Sequence, residues 1–214
     1  MIGKGKSISH GVAALEYDLA KEIDGQAAAT EIARHELYGC TGAEMVQEMK
    51  PYFTDFPNVK NNCLRFEVSP SIEESSSFTD ADWAELGNDF VQRMGLVNHQ
   101  YIIIKHSGTE SKKKQAHLHI LANRISLSGE LYRDNWIGKR ATEAANAIAK
   151  ERNFVQSQDI GKANKAEIKE AMNEVLKKLQ GFDLAKFQEE LGKLGFKVRE
   201  ARASTGKLNG YYVT

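Results

Sequence analysis

The chain has 214 residues, 41% of them hydrophobic, and its 29 basic and 29 acidic side chains cancel to a formal net charge of zero. That length and apolar content provide for one domain, or one domain with an appendage. The neutral balance excludes binding of nucleic acid through bulk charge, so any electrostatic site must be local.

The only cysteines, Cys40 and Cys63, lie in no metal-type spacing, which argues against a disulfide framework and fits a reducing compartment. No apolar run approaches the roughly 20 residues of a membrane span. The expected setting is cytoplasmic, without membrane insertion.

In chain order, the spacing predicts a helix over residues 7 to 23, where Ile8, Val12, Leu15, Leu19 and Ile23 form one apolar stripe. At roughly 100° per residue, Tyr17 lies about opposite that stripe. Helices are also expected near 27 to 37 and 42 to 49. Residues 61 to 71 read as a strand, with Leu64, Phe66 and Val68 on one face and Arg65, Glu67 and Ser69 on the other. Thr79, with Asp82 three residues later, opens a helix over 78 to 95 that carries Trp83, Leu86, Phe90 and Met94 and closes at Gly95.

Residues 99 to 106 and 116 to 125 are short and β-rich, as expected of adjacent antiparallel strands, and the loop between them carries Lys112, Lys113 and Lys114. An Ala-rich helix follows around 139 to 152. A change of texture near 155 to 163 separates an expected core, residues 1 to 158, from an appendage of two helices and a hairpin over 159 to 214.

The stretch "AHLHILANR" carries the chemistry. In a strand, side chains alternate, so His117, His119, Leu121 and Asn123 share one face. Two imidazoles at i and i+2 can reach one divalent ion. His106, ending the preceding strand, is the candidate third ligand, and Glu67 a candidate acceptor that would fix an imidazole tautomer. Ordinary half-exposed strand histidines are the alternative that the spacing leaves open. An ion held by neutral histidines can polarise a phosphate or carbonyl oxygen, or acidify a bound water.

The first role needs an outside nucleophile, and Tyr17 is a candidate because it stands off its helix's apolar stripe; a phenol attacks well only where a nearby cation favours the phenolate. Arg124, Arg133, Lys139 and Arg140 cluster around the third motif together with the lysine loop, and Tyr132 and Trp136 are interleaved. Cations mixed with aromatics suit single-stranded DNA.

The order of these features resembles the MobA-like mobilisation relaxases, a relaxase/mobilisation nuclease family within the His-hydrophobic-His (HUH) endonucleases. "GKGKSISHGVAALEYDLAKE" is similar to the family's tyrosine-bearing first motif. "NNCLRFEVSPSIEESSSFTDADWAELGNDFVQRMGL" is similar to its second block, and "HQYIIIKHSGTESKKKQAHLHILANRISLSGELYRDNW" to its third.

The resemblance, over residues 1 to about 155, implies an α/β fold, two-layer or sandwich, with a central, mainly antiparallel five-stranded sheet flanked by helices. It implies Tyr17 as nucleophile, His106, His117 and His119 as metal ligands, and Asn123 as a polar neighbour on the histidine face. The implied activity is site-specific nicking of single-stranded DNA at a transfer origin, with a 5′-phosphotyrosine link, a freed 3′-hydroxyl, bound Mg²⁺ or Mn²⁺, and reversible religation. Implied partners are accessory mobilisation proteins and a coupling protein, with the chain itself a monomer.

A tyrosine ahead of the histidine motif is the relaxase order; rolling-circle replication initiators carry it after. That class, and a metal-dependent hydrolase using a bound water, are the alternative readings. The sequence departs from the family where His106 is followed by Ser107 and Gly108 instead of a residue and an Asp, with ten residues before His117. Glu110 is the acid expected to stand in for that Asp.

Overall fold

The computed structural model describes residues 1–23, 26–107, 115–179, 181 and 183–214, the side chains of residues 23, 26 and 27 apart. Glu110, Lys112, Lys113 and Lys114 therefore lie outside the described residues. The elements are β1 (Ile2–Ile8), α1 (Gly11–Leu19), the short β2 (Glu22–Ile23) and β3 (Gln26–Ala27), β4 (Ala29–His35), α2 (Gly42–Met49), β5 (Cys63–Ser69), the one-turn α3 (Ile72–Ser75) and α4 (Asp80–Arg93). They continue with β6 (His99–His106), β7 (His117–Ser126), α5 (Ile137–Glu151), α6 (Ser157–Lys178), α7 (Leu184–Lys193), β8 (Val198–Arg202) and β9 (Leu208–Val213). Among the described residues no helix is long and apolar enough to cross a membrane.

Five strands form one sheet in the order β1-β5-β7-β6-β4, each neighbouring pair antiparallel. Alternation in its strands sends the apolar residues to two cores. Leu64, Phe66, Val68, Ile103, Leu118 and Ile120 pack with α4 and α5 through Leu86, Phe90, Ala141 and Ile148. Cys63, Ile102, Ile104 and Leu121 face the other way and pack with α1 and α2 through Leu15, Met45 and Met49. Because β6 and β7 are apolar toward both cores, they sit inside the sheet, and each fully buried Leu or Ile contributes roughly 1.5–3 kcal/mol. The result is an α/β sandwich with an antiparallel five-stranded sheet between two helical layers.

Thr79 caps α4 as expected: its hydroxyl accepts from the Asp82 backbone N–H, and the Asp82 carboxylate accepts from the Thr79 N–H. Gly95 follows the helix at φ +72°, a left-handed conformation that costs glycine little.

One predicted helix is shorter than expected, and another is a strand. The stretch from 7 to 23 divides into the end of β1, the nine-residue α1 and β2. Ile8 is a strand residue, Val12 is exposed, and α1 buries Gly11, Ala14, Leu15 and Asp18 instead. Residues 27 to 37, rich in helix-forming Ala, Glu and Arg, hold the edge strand β4 paired with β6. Hydrogen bonds to a neighbouring strand outweigh helix propensity there.

Chain contacts divide the molecule into two compact units, Met1–Ser157 and Gln158–Thr214. In the second, Ala171, Val175, Phe187 and Leu191 form a small core, and β8 pairs antiparallel with β9.

Candidate metal centre and active site

Antiparallel register brings the histidines together. His106 lies directly opposite His117 across β6 and β7, and Ile104 lies opposite His119. With the i, i+2 alternation of β7, all three imidazoles project from the sheet face that α1 covers. Their ring centroids are 4.4 Å apart for His106 and His119, 4.9 Å for His117 and His119, and 5.3 Å for His106 and His117. One ligand nitrogen from each lies within 4.8 Å of the others, and all three residues are buried.

Hydrogen bonds define the tautomers. His106 Nε2 lies 2.7 Å from the Asp18 backbone carbonyl, which can only accept, so Nε2 carries the proton and Nδ1 presents its lone pair. That Nδ1 is buried without a hydrogen-bond partner. The His117 Nδ1 donates at 3.3 Å to the Gln115 carbonyl, which leaves its Nε2 facing His119 Nε2 at 3.1 Å. An orphaned lone pair beside two facing ring nitrogens is the donor set of a three-histidine ion site, with backbone carbonyls in the orienting role such ligands require.

Electrostatics keep two of the imidazoles neutral. Burial, with smaller contributions from Lys21, His117 and Arg65, lowers the His106 pKa to about 4 against the opposing Asp18 carbonyl. Burial and the flanking His106, His117, Arg65 and Lys21 lower that of His119 to about 2. These groups protonate in the unfolded chain near pH 6.5 and resist protonation in the folded one. The metal-free protein is therefore expected to keep its full stability above pH 6.5 and to lose it progressively as the pH falls toward 4. Urea unfolding followed at pH 7.5, 6 and 5 checks this; a midpoint that stays level over that range would contradict it.

The last turn of α1 supplies the other half of the site. Asp18, 1% exposed, receives an Arg65 fork with Nη2 to Oδ1 at 2.5 Å and Nε to Oδ2 at 3.2 Å. Burial pushes its carboxyl above the usual range, and Arg65 opposes the shift. Asp18 Oδ1 stands 3.9 Å from His119 Nδ1, and Arg65 Nη2 lies 3.4 Å from the same nitrogen. Tyr17, one residue earlier, is 63% exposed, off the buried face of α1.

Sequence reasoning missed Asp18 and gave Arg65 no role. It also missed β1, whose Lys4 and Lys6 sit opposite Glu67 and Arg65. A cleft of about 240 Å³ beside His119 is lined by Lys4, Lys6, Arg65 and Glu67. The alternation of "KGK" was the available signal.

Of the other candidates, Glu67 lines the cleft and the rest fall elsewhere. Glu67 is the cross-strand neighbour of His119 and binds Lys4 at 3.0 Å. Asn123 shares the histidine face but lies roughly 13 Å along the strand from His119; it is fully buried and bonds the Gln100 side chain at 2.9 Å. Arg124, on the opposite face of β7, is tied to Asp134, to the Tyr132 carbonyl and to the Asn61 carbonyl. Arg140 donates to the Tyr132 hydroxyl at 2.6 Å and lies 4.8 Å over its ring. These three residues brace one another and are not brought to the histidines. Arg133, Trp136 and Lys139 are exposed.

Solved structures similar to this chain include the conjugative relaxase TrwC in complex with oriT DNA. Its metal-bound form is 11% identical with a TM-score of 0.41, and its metal-free form 10% identical with a TM-score of 0.42; each match covers 97% of this chain and 74% of the other. The copper-bound form, 12% identical with a TM-score of 0.38, covers 97% and 75%. No curated protein matches the chain. The family model for the MobA/VirD2-like relaxase nuclease domain matches residues 17–154, from Tyr17 through the histidines to just past α5. That stretch is well over half of the chain, and the protein belongs to the MobA/VirD2-like relaxase nuclease family.

Proposed function

We propose that the chain nicks single-stranded DNA at a transfer origin by tyrosine transesterification. The observation that carries the reading is the convergence of His106, His117 and His119 under the turn of α1 that bears Tyr17. The three imidazoles hold a divalent ion, Mg²⁺ or Mn²⁺, which when bound supplies Lewis-acid polarisation of the scissile phosphate. Tyr17, exposed at the end of α1, attacks the phosphorus. A 5′-phosphotyrosine bond forms as the bond to the 3′ oxygen breaks, and the 3′-hydroxyl leaves. One phosphodiester replaces another, so the step runs in both directions and the held 5′ end can be rejoined.

Lys4 and Lys6 on β1, with Arg65, supply cations along the cleft beside His119 for the strand's phosphates. Arg133, Trp136 and Lys139 remain candidate contacts further along the strand. On this reading the partners are origin DNA, accessory mobilisation proteins and a coupling protein, and the chain acts as a monomer.

The test uses single-stranded oligonucleotides tiled across the DNA flanking the gene, incubated with the protein and Mn²⁺ and resolved under denaturing conditions. A protein-DNA adduct that disappears in Tyr17→Phe is expected. An adduct undiminished in that variant rules out Tyr17 as nucleophile, and cleavage without any adduct points to a hydrolase that uses a bound water.

A further inference from the structure

We infer that Asp18 is the positioning residue of the histidine cage and couples it to the helix carrying the tyrosine, in place of the acid missing after His106. The inference rests on the metal-binding reading of the three histidines.

Asp18 meets two of them by different atoms. Its backbone carbonyl takes the His106 Nε2 proton at 2.7 Å and so turns the Nδ1 lone pair inward. Its carboxylate stands 3.9 Å from His119 Nδ1.

The tautomer of His119 is where the carboxylate matters. Arg65 Nη2, 3.4 Å from Nδ1, can only donate. While Nδ1 accepts from Arg65, the proton resides on Nε2 and points to His117 Nε2 at 3.1 Å, an arrangement that cannot ligate. For Nε2 to offer a lone pair, the proton must move to Nδ1, and Arg65 cannot receive it. The Asp18 carboxylate can, once Oδ1 closes from 3.9 Å to a hydrogen-bond distance of about 2.9 Å.

Arg65 already grips both oxygens of Asp18, so the carboxylate is aimed before any ion arrives. The Tyr17 and Asp18 Cα atoms are about 3.8 Å apart. Drawing Asp18 onto His119 therefore also fixes the last turn of α1 and with it the base of the Tyr17 side chain.

Calorimetric titration of the full chain with Mn²⁺ tests this, paired with hydrogen exchange of the α1 amides. Asp18→Asn should weaken Mn²⁺ binding by about tenfold to a hundredfold, while Glu67→Gln leaves it unchanged. In the unaltered protein Mn²⁺ should raise protection of α1, and in Asp18→Asn it should not. A residue that only braces the fold would not change this metal-dependent response.

If Asp18→Asn fails to fold because Arg65 is stranded, the double variant Asp18→Asn with Arg65→Met removes both charges and should show the same loss. A folded Asp18 variant that binds Mn²⁺ like the unaltered chain overturns the inference, as does Glu67→Gln reproducing the loss. Equal binding by the unaltered chain and His119→Ala would instead overturn the metal-binding reading beneath it.

Discussion

Replacing His119 by alanine is expected to weaken binding of a divalent ion by a hundredfold or more and to remove adduct formation with single-stranded DNA. The imidazole lies at the centre of the cage, with the other two ring centroids 4.4 and 4.9 Å away. Its loss removes one of three nitrogen donors and leaves His106 Nδ1 and His117 Nε2 without the geometry to hold an ion between them. Truncating the buried ring leaves a cavity under α1 that should also lower stability, so metal affinity is compared on folded protein.

His99→Ala makes the control. His99 is also buried, and its Nδ1 lies 2.9 Å from the Asn123 carbonyl, but it stands at the other end of β6, away from the cage. That variant should lose stability through an unmet carbonyl and a cavity and keep its metal affinity. Calorimetric titration of both variants with Mn²⁺ decides the matter: retained affinity in His119→Ala, or a large loss in His99→Ala, would contradict the assignment.

The largest effect on stability is expected from Gly3→Ala, at roughly 3 kcal/mol or more. A Cβ at Gly3 would stand 2.4 Å from the Ala141 backbone oxygen and 2.6 Å from the Ala145 Cβ. Neither atom ends a flexible side chain, so α5 must move off β1. The strand that would be displaced carries Lys4 and Lys6, so cleft geometry should suffer together with stability. Gly129→Ala separates this cause from backbone strain: Gly129 has φ +81° with nothing within 4 Å of an added Cβ, and should cost only about 1–2 kcal/mol. Urea unfolding of the two variants side by side checks the ranking, and a Gly3 variant no weaker than the Gly129 variant would refute the packing argument.

The same glycines explain why β1 was missed despite its alternating lysines. "IGKGKSI" carries two residues of low strand propensity, and their reason for being there lies far along the chain: the Ala141 backbone of α5 beside Gly3 and the Phe66 ring of β5 beside Gly5. Nothing local reveals such a contact. Residues 27 to 37 were misread for the converse reason, because an edge strand with few apolar residues differs from an exposed helix only by the partner it finds. Where burial on both faces imposed near-continuous apolar runs, in β6 and β7, and where Thr79 and Asp82 spelled out a capping box, the local signal and the fold agreed.

The order of motifs by itself determined the family, the antiparallel α/β sandwich and the common face of His117 and His119, because strand alternation is a property of the backbone alone. Only the tertiary structure decided that His106 pairs with His117 across β6 and β7, and that Asp18, forked by Arg65, lies against the histidines. It also decided that Arg124, Tyr132 and Arg140 hold one another instead of facing the cage. Each of these depends on register or on which face of a helix meets the sheet, and both are set by packing between segments far apart in the chain.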